Sequence, residues 1–177
     1  MNLARSAGVA IGILIGLIIA VIIIRFANTN HKMKTEYDER QQEIRGRGYR
    51  LAFYAMMICE IIMFVLEIGN IPLPIEPYLA HFITIIVGAM ALGSYCIWND
   101  VYWGLNTNRK RYIVIFIAAA LLNAIPVFGA ASDGTLLVDG KFSTPLVNIL
   151  VLIMLLVFGI ELIAKEIVDR NAAREEE

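Results

Sequence analysis

Glu60, Glu67, His81, Asn123 and Asn148 are polar residues set in otherwise apolar surroundings, and their types could do chemistry there. Glu60 stands nine residues from either end of the apolar stretch 51–69, so a helix across that stretch puts a carboxyl near its middle. Such a group can relay a proton or act as a neutral hydrogen-bond donor, and ionisable residues at membrane depth cost ~2.5–3.5 kcal/mol on insertion scales. Glu67 follows two helical turns later on nearly the same face. Matching depths across antiparallel helices sets Asn123 level with Glu60, and His81 and Asn148 level with Glu67. A polar column of these five residues is therefore expected. The plainer reading is a hydrogen bond that ties two helices, and it is preferred because Glu60 stands nearly alone, whereas transport sites combine several groups with broken helices. Pro126, three residues after Asn123, keeps transport open because it can kink its helix and open a cavity.

Other chemistry finds little support. The chain has no GxSxG, HExxH, P-loop or Asp-rich metal motif. His31 and His81 are the only histidines, and neither has Cys or Asp neighbours at ligand spacing. Cys59 and Cys96 both fall in apolar stretches and read as buried thiols. No catalytic residue, metal or cofactor is predicted, and nothing suggests nucleic-acid binding.

The elements that must position these residues are membrane spans. Of the 177 residues, 59% are apolar and 18% charged, with a mean hydropathy of +0.70. About 20 apolar residues in a helix cross a bilayer core of ~30 Å. Five stretches qualify, at about 7–24, 51–69, 78–98, 112–131 and 145–164. The expectation is an all-α polytopic bundle forming a single membrane domain over 1–177, with sequential spans as antiparallel neighbours. Lys and Arg gather on the cytoplasmic side. Alternating the loops puts thirteen of them on one side and two, Arg5 and Lys141, on the other. The predicted N-terminus is outside and the C-terminus inside. The first span reads as a retained anchor rather than a signal peptide, because its apolar run is long, RFANTN lacks a small-x-small cleavage site, and its C-terminal flank is the more basic.

Gly8, Gly12, Gly16 and Ala20 recur every four residues, which makes one small-residue face on the first span. Gly88, Ala89 and Gly93 offer it a matching surface on the third span, and a homo-oligomer through Gly8, Gly12 and Gly16 is the alternative. Tyr49, Phe53 and Tyr54, and again Tyr95, Trp98, Tyr102, Trp103 and Tyr112, sit where aromatic belts are expected.

The charged cytoplasmic segment 32–50 interrupts this pattern with KTEYDERQQEIRGRGYR. Glu36 with Arg40 and Glu43 with Arg47 have i, i+4 spacing, so a helix from about Lys34 is expected to run on into the second span. Asp38, Glu39, Arg40, Gln41, Arg45 and Arg47 form a candidate docking surface for a protein partner, or for the loop Arg109–Arg111 and the acidic tail. The simpler role is positive-inside charge on a soluble helix.

The order DERQ, IRG and then an aromatic-rich span resembles small multi-pass membrane proteins of Gram-positive, mostly Firmicute, bacteria. The match covers Tyr37 to Tyr54, through Asp38, Glu39, Arg40, Gln41, Arg45 and Gly46. The resemblance implies a bacterial plasma membrane and no assigned reaction. The functional expectation is a non-enzymatic accessory or interaction subunit, with a small transporter or proton-linked permease using the Glu60 column as the alternative. An immunity or stress protein guarding its own membrane is a weaker third.

Overall fold

The computed structural model describes residues 3–175. Helices dominate it: α1 (Leu3–Ala27), α2 (Glu39–Ile68), α3 (Pro77–Trp98), α4 (Arg109–Ser132) and α5 (Leu146–Glu175). Two short strands, β1 (Leu137–Val138) and β2 (Lys141–Phe142), lie between α4 and α5. All five helices are long and apolar enough to cross a membrane, so the chain is a multi-pass membrane protein. The expected spans lie within these helices apart from one residue at the edge of two of them, 69 after α2 and 145 before α5, and α2 and α5 extend well beyond the apolar windows. α2 continues unbroken from the charged segment into the second span, as its spacing predicts, although it starts at Glu39 rather than Lys34.

The chain divides into two compact units, one of Met1–Asp38 with Trp103–Ile117 and one of Glu39–Tyr102 with Ala118–Glu177. In the second unit α3 is the central helix. Seven of its residues are buried, against two in α2 and one in α5. α2 crosses it antiparallel, with Gly48 against Tyr95 and Leu92, and Gly88 against Met56. α5 runs parallel to it, with Tyr78 beside Thr144, Gly93 against the Phe158 ring and Asp100 beside Lys165.

The partner of α3 opposite α2 is thus α5, not the sequential α4, because Gly93 lacks the Cβ that would keep Phe158 out. The small surface expected to receive α1 is therefore occupied from within this unit: Met56 covers Gly88 and Phe158 covers Gly93. Gly8, Gly12 and Gly16 have open space where a Cβ would lie.

Three helix ends share one termination. Asn70, Asp100 and Gly134 each adopt left-handed φ, of 49°, 61° and 68°. Each is followed by a residue whose N–H reaches back five positions, Ile71 to Leu66, Val101 to Cys96 and Thr135 to Ala130. These are Schellman caps, which satisfy carbonyls that the helix leaves without donors. The loop after α4 folds back as a hairpin, with Asp139 (φ 51°) and Gly140 (φ 76°) at its tip. An Asp-Gly pair with both φ positive makes the tight turn whose twist suits paired strands.

In the first unit, the segment after α1 and the loop before α4 are laced by polar contacts. Asn28 bridges Thr107, Thr29 N–H donates to the Asn106 carbonyl at 2.7 Å, and Asn108 N–H donates to the Ala27 carbonyl at 2.9 Å. Gly104 lies so close to Thr35 and the Glu36 carbonyl that a side chain there would not fit. Asn108 also caps α4, accepting from Arg111 N–H at 3.2 Å.

Candidate functional site

The end of the second unit where α2 passes into α3 gathers several of the expected polar residues. His81, on the second turn of α3, places Nδ1 3.2 Å from both carboxylate oxygens of Glu60 on α2. Sequence depth had matched His81 to Glu67; the crossing of α2 and α3 brings it to Glu60 instead. Both side chains stay partly exposed, at 60% and 45%, so the pair lies on the flank of the α2–α3 seam rather than inside it.

Glu67 and His81 line a cavity of about 250 Å3 with Met63, Leu66, Ile71 and Lys141 among its walls. The β-hairpin covers this end. Phe142 N–H donates to the Pro74 carbonyl at 2.9 Å, and Lys141 Nζ donates to Glu76 Oε1 at 3.1 Å. Two of the expected column members make no hydrogen bond to Glu60, Glu67 or His81 among the described residues. Asn123 donates to the Ala119 carbonyl one turn back on its own helix at 2.8 Å, and α4 is continuous through Pro126. Asn148 is half-buried on α5 and has no side-chain hydrogen bond among the described residues. The five-residue column is thus reduced to Glu60 with His81, and Glu67 nearby.

The other end of α3 uses charge differently. Arg45, on the second turn of α2, donates through Nη1 to the Val101 carbonyl at 3.1 Å and lies 3.8 Å from the Cys96 sulfur. It also donates to the Tyr49 hydroxyl at 3.3 Å. Val101 is fully buried, and it is the residue whose N–H closes the Schellman cap of α3. Lys165 of α5 pairs with Asp100, the left-handed cap residue, at 3.1 Å and with Asp169 at 2.7 Å. The C-terminal turn of α3 is therefore held by a cation from each flanking helix. Glu161, three residues after Phe158 on the same stripe of α5, buries one carboxylate oxygen that has no hydrogen-bond partner among the described residues.

The candidate docking residues part company accordingly. Arg45 is spent inside the fold. Arg47 pairs with Glu43 at 2.6 Å as its spacing predicts. The expected Glu36–Arg40 pair does not form, because Glu36 precedes the helix and bonds Lys32 at 3.2 Å and Asn30 at 3.1 Å instead. Asp38, Glu39 and Arg40 are exposed and Gln41 is half-buried. Arg109 lies over Trp103 and Arg111 over Phe26. Of the acidic tail, Glu176 and Glu177 lie outside the described residues.

Sequence reasoning missed Asn28 and Asn106, buried to 1% and 6% exposure. Asn106 accepts from Glu36 N–H at 2.8 Å and donates to Asn30 and to the Lys34 carbonyl at 3.1 Å each. Asn28 donates to the Lys32 carbonyl at 2.9 Å. The signal was the tripeptide Asn-Thr-Asn, present at 28–30 and again at 106–108. Compared with known protein families, curated proteins and solved structures, the chain has no match.

Proposed function

We propose that this protein is a non-enzymatic accessory or interaction subunit of a bacterial plasma membrane, with its N-terminus outside and its C-terminus inside. The observation that carries this reading is the open face of α1. Gly8, Gly12 and Gly16 leave room for another backbone to approach, and in lipid such close approach supplies much of helix association. The orientation rests on the thirteen-to-two division of basic residues. The exposed Glu39 and Arg40 and the Glu43–Arg47 pair give the cytoplasmic start of α2 a charged surface that a partner's loop can read.

A cysteine at Gly12 tests this. Cross-linking in native membranes should trap either a second copy or a distinct membrane protein, and Gly12→Ile should abolish the product. Equal monomer recovery from both variants refutes an associating α1. Reporter fusions at both termini test the orientation.

The Glu60–His81 contact favours a second reading, a small proton-linked permease. Glu60→Gln should then stop coupled flux in proteoliposomes while the protein folds normally; an accessory subunit retains its partner under the same change.

A further inference from the structure

Around the cavity at the α2–α3 connection, charges are unevenly matched. Its walls are mostly apolar: Met63, Leu66, Ile71, Pro72, Leu73 and Ile75. Three lining or adjoining acids and two bases surround it. Glu60 has His81 Nδ1 at 3.2 Å and Glu76 has Lys141 Nζ at 3.1 Å. Glu67 lines the same space, and its side chain has neither ion pair nor hydrogen bond among the described residues, so the cavity keeps one uncompensated carboxylate at the last turn of α2.

We propose that this cavity binds a small organic monocation, an ammonium group on a one-ring apolar body. Three features point to that class. An engineered cavity of ~150 Å3 lined by apolar side chains accepts benzene, so about 250 Å3 holds one ring with a short charged arm but is below the usual range for drug-sized ligands. The apolar walls favour the ring by burial. Glu67 supplies the anion, and a charge-assisted contact to it is stronger than a neutral one. Lys141 does not recruit an anion instead, because Glu76 already holds its ammonium.

The hairpin explains why the cavity persists. Phe142 N–H on the Pro74 carbonyl, Lys141 on Glu76, and the Tyr78 hydroxyl 3.2 Å from Thr144 Oγ1 fasten the hairpin and its continuation to the start of α3. The walls are thus held apart by backbone and side-chain bonds that a ligand need not break.

Benzylammonium, benzyl alcohol and phenylacetate share a ring and differ in charge, which makes them suitable probes. Each is titrated against the full chain in a maltoside detergent, which carries no amine to compete, and binding is read by saturation-transfer NMR. Benzylammonium should bind most tightly and phenylacetate least. Glu67→Gln should weaken benzylammonium roughly tenfold and leave benzyl alcohol nearly unchanged, as expected for loss of one charged contact. Lys141→Gln should preserve or tighten benzylammonium binding, because it frees Glu76. Leu73→Trp, which fills the cavity from a half-buried loop position, should abolish binding of all three. Phenylacetate binding as tightly as benzylammonium, benzylammonium unaffected by Glu67→Gln, or binding that survives Leu73→Trp would each overturn the proposal.

Discussion

The two ends of α3 hold similar residues and use them in opposite ways. At its C-terminal end, Arg45 and Lys165 meet a backbone carbonyl and a capping carboxylate, and aromatic rings fill the space that Gly48 and Gly93 leave. At its N-terminal end, Glu60 and His81 face each other in a partly exposed pair, Glu67 has no counterion among the described residues, and a cavity stays open beside them. The difference is one of packing. Where small residues let helices close, charges become fasteners; where a loop and a hairpin hold helices apart, a charge is left for something else. Charged residues near a membrane boundary therefore do not share one role.

The sharpest way to break this contrast is to open the tight end. Gly93→Val drives a side chain into the Phe158 ring, and overpacking of this kind costs ~1–3 kcal/mol or more. It should separate α3 from α5, seen as a large drop in the thermal unfolding midpoint in detergent. Arg45→Met comes next. It strands the buried Val101 carbonyl, and an unsatisfied buried acceptor costs about 2 kcal/mol. A loss no greater than that of a surface charge would show that Arg45 is not a fastener.

Glu161→Leu should act in the opposite direction, raising stability by about 1 kcal/mol, because it removes a buried oxygen that has no partner among the described residues. Arg47→Met has the smallest expected effect, ~0.3–0.5 kcal/mol, since its pair with Glu43 is an exposed i, i+4 contact. If Arg47→Met and Arg45→Met cost the same, the division of the charged segment into an inner and an outer face fails.

Much of the fold was legible because hydropathy is a local quantity. The five helices follow from runs of apolar residues, and the continuity of α2 follows from the spacing of Glu43 and Arg47, which need only a helix to meet. Contacts between distant segments were less legible. Depth matching put Asn123 level with Glu60 and Asn148 level with Glu67, but depth leaves the rotation of each helix undetermined. Asn123 turned back to the Ala119 carbonyl because that acceptor is one turn away on its own helix. His81 went to Glu60 because of where α2 and α3 cross. The Asp139-Gly140 hairpin and the two Asn-Thr-Asn tripeptides were readable as local signals, and the emphasis on membrane depth passed over them.

What the sequence determined alone is the material of the protein: five apolar helices, an uneven spread of basic residues, and glycines at positions where helices can approach. Tertiary structure decided which of these meet. Gly93 admits Phe158 and so selects α5 rather than α4 as the neighbour of α3, and Arg45 becomes internal only because the capped end of α3 presents the Val101 carbonyl to it. A helix's rotation and its choice of neighbour depend on side chains far apart in the chain, and no local pattern carries that information.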